Sequence, residues 1–168
     1  GGDVLVNEDG VLDGISEAYG LHIWNSPKTG VPGVFYSRPG ALLGNSGRIK
    51  LVIKAKGGHV ASPASGVNAR RIADHVSYLL SSFKDRNINP MESATLEPVI
   101  ENSGTGSNIM AQQAEMWFGF RTMLPRIEHM EFMDQMEQEV RQILPIYPGA
   151  DLVEVQKIGG HPATINTP

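Results

Sequence analysis

The residues best placed for chemistry lie in Lys56-Gly57-Gly58-His59-Val60-Ala61-Ser62-Pro63, where a two-residue alternation stops and helical spacing begins. Two glycines open backbone conformations closed to other residues, and Pro63 fixes its own φ and disfavours helix just before it. His59 is thereby held on a short constrained loop at a strand end, and its ring can point away from the domain that carries it. The plainer reading is a strand-to-helix turn whose histidine caps the helix or meets solvent.

Other candidates are weaker. Ser62 and Ser65 stand close to His59, but there is no Gly-x-Ser-x-Gly elbow and no evident third residue to orient the ring. Gly104-Thr105-Gly106 precedes a strand pattern and lacks the Lys-Ser/Thr of a phosphate loop, so it reads as a hairpin loop. Asn108, and Arg121 at the far end of the following strand, are both able to bind a carboxylate: asparagine as neutral donor and acceptor, arginine as a planar two-pronged donor. On its own Arg121 reads as a surface strand arginine. His22 sits at the end of a short strand pattern, where metal ligands are often displayed and where a core histidine bonded to backbone is also found. There is no His-x-x-x-His pair and no acidic calcium loop. His75 and His129 fall among acidic residues on helical patterns and read as solvated; His161, in a Gly/Pro segment, has no assigned role.

The elements that must position these residues follow from periodicity. Gly1 to Gly14 reads as a helix end and a turn, Glu17 to Trp24 as a short buried strand, and Asn25 to Gly40 as a loop with one more strand at Val34-Phe35-Tyr36. Ile49, Leu51, Ile53 and Ala55 alternate with Lys50, Val52, Lys54 and Lys56, the mark of a half-buried strand. Ala69, Ile72, Ala73, Val76, Leu79, Leu80 and Phe83 give a helix over Val67 to Lys84 one apolar face. Ser93 to Glu101 is a second strand and Gln113 to Thr122 a third, with Met116, Phe118 and Phe120 facing one way. Pro125 opens a helix over Ile127 to Leu144 whose apolar side is Ile127, Met130, Met133, Val140, Ile143 and Leu144; Asp151 to Ile158 is a fourth strand. The order β-α-β-β-α-β predicts an α+β ferredoxin-like sandwich, a four-stranded antiparallel sheet with two helices on one face. It occupies 42–158, while 1–41 and 159–168 read as pieces of a second domain into which it is inserted.

A chain of 168 residues, 40% hydrophobic and 19% charged, suits one soluble domain carrying pieces of another. A net charge of −4 without a basic stripe argues against nucleic acid as partner, and no apolar run nears the ~20 residues that span a bilayer. With no cysteine there is no disulfide framework and no thiolate ligand or nucleophile, which fits a reducing cytoplasm. The start at Gly1 lacks both a signal-peptide pattern and an initiator methionine, so the chain reads as part of something longer.

Taken together, Tyr19-Gly20-Leu21-His22-Ile23-Trp24, Lys56-Gly57-Gly58-His59 with Pro63 and Gly66-Val67, Gly104-Thr105 with Asn108-Ile109, and Phe120-Arg121-Thr122 resemble the M20 family of zinc metallopeptidases and amidohydrolases. The nearest branch is that of aminoacylase-like, hippurate-hydrolase-like and auxin-conjugate hydrolases, and the resemblance covers nearly the whole chain. It implies an α/β zinc-hydrolase domain with an inserted lid that dimerises edge to edge. It implies His22 as a zinc ligand and His59 as the lid histidine that reaches the partner subunit's site and polarises the scissile carbonyl. Asn108 and Arg121 would hold the substrate, an N-acyl amino acid or similar small amide, Arg121 on a carboxylate.

The family's remaining zinc ligands and its glutamate base have no counterparts here, so the 168-residue chain alone is expected to be inactive and to bind zinc weakly or not at all. Ala64 stands where the branch has a second histidine, Asn68-Ala69 where it has Asp-Pro, and Ala111 where it has proline. Two other readings stay open: a non-catalytic ferredoxin-like module that binds a metabolite or partner, and an inactive paralogue acting as scaffold.

Overall fold

The computed structural model describes residues 9–23, 30–124 and 126–166. The chain divides into two compact units, Leu43–Thr164, and Gly1–Leu42 with Ile165–Pro168. A short strand β1 (Gly40–Leu43) pairs with β8 (Thr164–Asn166).

The larger unit runs β2 (Asn45–Lys54), β3 (Gly58–His59), α1 (Ala69–Asn87), β4 (Ala94–Ser103), β5 (Ile109–Met110), β6 (Gln113–Thr122), α2 (Arg126–Ile143) and β7 (Asp151–Gly159). Its main sheet is antiparallel in the order β4-β6-β2-β7, the β-α-β-β-α-β sandwich expected from periodicity. Residues of alternate parity share a face: Ile49, Leu51 and Ile53 of β2 lie beside Met116, Phe118 and Phe120 of β6. All six are buried against Ile72, Val76, Leu80 and Phe83 of α1 and Phe132, Met133, Met136 and Val140 of α2. Val52 is buried as well, on the alternation's opposite side. On that face, away from α1 and α2, Lys50 sits between Glu115 at 3.2 Å and Glu154 at 2.9 Å, tying three strands together.

Three expectations are corrected. Residues 17–23 form no strand: Tyr19, Leu21 and Ile23 are 90%, 83% and 92% exposed. A strand exists only where a neighbour completes its ladder, and no described residue does so there. Val34, Phe35 and Tyr36 are exposed and outside any ladder for the same reason. His129 is not solvated but 2% exposed, because it shares a helix face with Phe132, Met133 and Met136 at three-, four- and seven-residue spacing. Gly1 to Glu8, Trp24 to Thr29, Pro125 and the side chain of Ile127 lie outside the described residues.

A buried polar cluster joins the start of β2, the end of β6 and the first turn of α2. Asn45 donates to the Leu124 carbonyl at 2.7 Å and accepts from both the Thr122 N–H and its hydroxyl at 3.0 Å. Thr122 Oγ1 lies 3.3 Å from His129 Nδ1, while His129 Nε2 is buried without a hydrogen-bond partner. A Cβ on Gly47 would overlap that Nε2 and the Phe120 ring, so glycine is what lets the two rings lie on β2.

Burial pushes the His129 imidazolium pKa down; the Ser46 backbone opposes this and the positive Arg121 reinforces it. In the unfolded chain the group titrates near ~6.5. Below that pH the unfolded state gains the proton and the folded state does not, so stability is full above ~6.5 and falls as pH drops, by at most ~1.4 kcal/mol per pH unit, until the folded pKa is reached. Urea midpoints are therefore expected to fall between pH 7.5 and 5.5 in the wild type and to fall less in His129→Gln. Equal losses in the two proteins would contradict this.

Candidate functional site

The loop after β2 is closed by backbone pairing that sequence periodicity does not announce. Gly58 and His59 of β3 pair with Met110 and Ile109 of β5, and Gly57 bridges to Val67, with N–H to carbonyl bonds of 2.8 and 3.2 Å between their backbones. Gly57 and Gly58 have φ of 68° and 147°, values that residues with a side chain rarely adopt. Gly66 faces the Gly57 carbonyl so closely that a Cβ there would overlap it and Met110 Cε.

The helix that follows begins at Ala69, capped by Asn68 and not by His59. Asn68 Oδ1 accepts from the Arg70 N–H at 3.0 Å and from the Ala111 N–H at 3.1 Å. The two departures at 68 and 111 are thus coupled. A proline at 111 would have no N–H to give, whereas Ala111 donates to Asn68 and stitches α1 to the strand end beside Asn108.

This frame brings His59 and Asn108 together. Both are exposed; Asn108 Nδ2 lies 3.4 Å from His59 Nε2, and the Val60 N–H donates to the Asn108 carbonyl at 3.1 Å. The Ala61 N–H donates to His59 Nδ1 at 3.1 Å. Ser65 Oγ donates to the Ser62 carbonyl at 2.8 Å, which turns it to the backbone and away from a role as nucleophile on His59. Ala64 is exposed on the 3-10 turn Pro63–Ser65 beside this loop.

Arg121 is not with them. It stands at the opposite end of β6, paired with Ser46 of β2 and Thr95 of β4, with Nη1 donating to the Phe120 carbonyl at 3.1 Å. From Gln113, just after β5, to Arg121 is eight strand steps, or ~26 Å at a rise of ~3.3 Å per residue. That end is where the chain enters and leaves the sandwich, since Gly160 donates to the Ser46 carbonyl at 2.7 Å. His22 lies in the other unit, exposed and outside any strand, with Nδ1 2.7 Å from the Ile23 carbonyl. Among the described residues no three His, Cys, Asp or Glu side chains cluster to hold a metal. Among them, too, no helix is long and apolar enough to cross a membrane.

Relatives of this chain are now informative. A thermostable carboxypeptidase of Saccharolobus solfataricus is 27% identical over 168 residues, all of this chain and 42% of that protein. An N-acetylcysteine deacetylase of Bacillus subtilis is 31% identical over 140 residues, 83% of this chain and 33% of its own length. The crystal structure of a Bacillus subtilis protein described as a dinuclear metal-binding peptidase of the M20 family superposes with a TM-score of 0.66 at 25% identity, over 96% of this chain and 38% of that one. The chain therefore spans about two fifths or less of each. Residues 41–148, which hold β3, β5 and both sandwich helices, match the peptidase dimerisation domain of that family. On that match, and on the sandwich that carries it, the chain belongs to the M20 peptidase family and contains its dimerisation domain.

Proposed function

We propose that the whole protein is a zinc-dependent amidohydrolase that cleaves the amide of N-acyl amino acids, and that this portion supplies its dimer contact and substrate-holding residues. The observation that carries the reading is the exposed His59–Asn108 pair, locked by β3 and β5 on a loop outside its own core. Its distance from Arg121 gives the pair a second meaning. A small amide cannot span ~26 Å of sheet, so His59 and Asn108 serve the partner's active site while Arg121 serves its own. In each composite site His59 donates to the oxygen that gains charge as the amide is attacked, Asn108 adds a second polar contact, and Arg121 pairs with the carboxylate.

The deacetylase relative acts, by its name, on an N-acyl amino acid, which supports that substrate class. His22 is one donor where a catalytic zinc takes about three protein ligands, so these residues do not hold the metal by themselves. The edge offered to a second copy is β4: of the two outermost strands, β4 and β7, it carries the more exposed apolar residues, Val99 at 58% and Ile100 at 49% against Val153 at 44% and Ile158 at 37%. Pairing there would cover an open ladder and join two sheets across a two-fold axis. The absence of cysteine suits a cytoplasmic setting.

The purified 168-residue chain is expected to sediment as a dimer and to show no amide turnover, whereas the full-length protein with zinc hydrolyses N-acyl amino acids. A monomeric chain would contradict the edge assignment, and turnover by the chain alone would contradict the division of labour.

A further inference from the structure

A catalytic histidine is usually oriented by a carboxylate, and among the described residues no carboxylate bonds to His59; the backbone does that work instead. The Ala61 N–H donates to Nδ1 at 3.1 Å, inside a turn that the Ser62 N–H closes onto the His59 carbonyl at 3.0 Å. A backbone N–H can only donate, so the Nδ1 lone pair is occupied. The neutral ring must then carry its proton on Nε2, which becomes a donor and has no lone pair left with which to act as a base. The Asn108 amide 3.4 Å away completes the argument. Its oxygen and nitrogen exchange places by rotation about the last side-chain bond, and a donor at Nε2 calls for the oxygen to face it.

We propose that the Ala61 N–H is a positioning group that locks His59 in the Nε2–H tautomer, and that Asn108 holds this donor in place until a substrate oxygen takes it over. The carboxylate orienter of a serine-protease-like triad has the opposite effect: it holds a proton on Nδ1 and leaves Nε2 to accept. The lock therefore assigns His59 to donation toward an oxyanion and removes it as base for Ser62 or Ser65. The proposal rests on the functional reading above for the identity of that oxygen, but the tautomer itself needs neither metal, substrate nor partner site.

The test is a long-range proton–nitrogen NMR spectrum of the histidine-labelled 168-residue chain above pH 7.5. His59 is expected to show a protonated Nε2 and a bare Nδ1. Ala61→Pro deletes the donor and is expected to return His59 to the averaged pattern of an exposed histidine, with the signals of His75 and His129 unmoved. Asn108→Ala is expected to keep the tautomer and broaden the ring signals. A protonated Nδ1 in the wild type overturns the proposal, as does an unchanged His59 pattern in folded Ala61→Pro. Loss of the tautomer in Asn108→Ala overturns it too, by moving the lock to Asn108. Should Ala61→Pro fail to fold, the wild-type and Asn108→Ala spectra decide. A full-length enzyme that ignores loss of His59 would sink the functional reading and leave this tautomer standing, so the two failures are distinguishable.

Discussion

In the full-length enzyme, His59→Ala is expected to lower kcat about 10²–10³-fold with little change in KM, the loss that removal of one oxyanion donor produces. A donor aimed at charge that develops only in the transition state contributes little to ground-state binding, which is why the effect falls on kcat. The ring is exposed and takes no part in the core, so the denaturation midpoint is expected to stay at the wild-type value. Steady-state kinetics beside a urea titration checks both halves. A variant with normal kcat, or one that loses activity only because it unfolds, would contradict the assigned role.

Gly66→Ala is expected to remove nearly as much activity without deleting any polar group. A Cβ at this position would overlap the Gly57 carbonyl oxygen and Met110 Cε. The first of these is backbone already bonded to the Val67 N–H at 3.2 Å, so it cannot swing aside as a side chain would. Relief requires separating the Gly57–Val67 bridge, and His59 hangs from that bridge through β3. Overpacking of this kind costs about 1–3 kcal/mol. The sandwich, whose core lies elsewhere, is expected to remain folded. Circular dichroism should show native secondary structure while kcat falls; a Gly66→Ala enzyme with full activity would show that the loop does not position His59.

The parts of this fold that were legible in the sequence are those whose periodicity has one cause. Ile49, Leu51 and Ile53 alternate because one sheet face is buried, and Ile72, Val76, Leu80 and Phe83 recur because one helix face packs on it. Both patterns survive without knowledge of any partner. The pairing of β3 with β5 was not legible, because two residues on each side carry no period; only the glycines and the neighbouring Asn108 hinted at a shaped loop. His129 did carry a signal, its spacing to Phe132, Met133 and Met136, but its polarity and the adjacent Glu128 and Glu131 masked it. Tyr19 to Ile23 misled in the other direction: apolar character marks a segment that can be buried, not one that the described residues bury.

For the candidate site, residue types were readable and distances were not. Arg121 reads as the far end of the strand that follows Asn108, 13 positions on, but sequence alone gives neither residue a distance to His59. β6 runs unbroken from Gln113 to Thr122, so it carries Arg121 to the end of the sheet away from Asn108. On the proposed reading that separation divides the substrate-holding residues into two half-sets, and the proposed exchange between subunits follows from it.

The most direct measurement of this exchange is complementation between two inactive full-length variants, His59→Ala and Arg121→Ala, unfolded together and refolded in equal amounts. A mixed dimer has one site with an intact His59 from one protomer and an intact Arg121 from the other, and a second site lacking both. Random pairing under two-fold symmetry predicts recovery of about a quarter of wild-type activity. If His59 and Arg121 instead act from the same protomer, every site in every dimer lacks one of them, and the mixture will be no more active than its inactive parents.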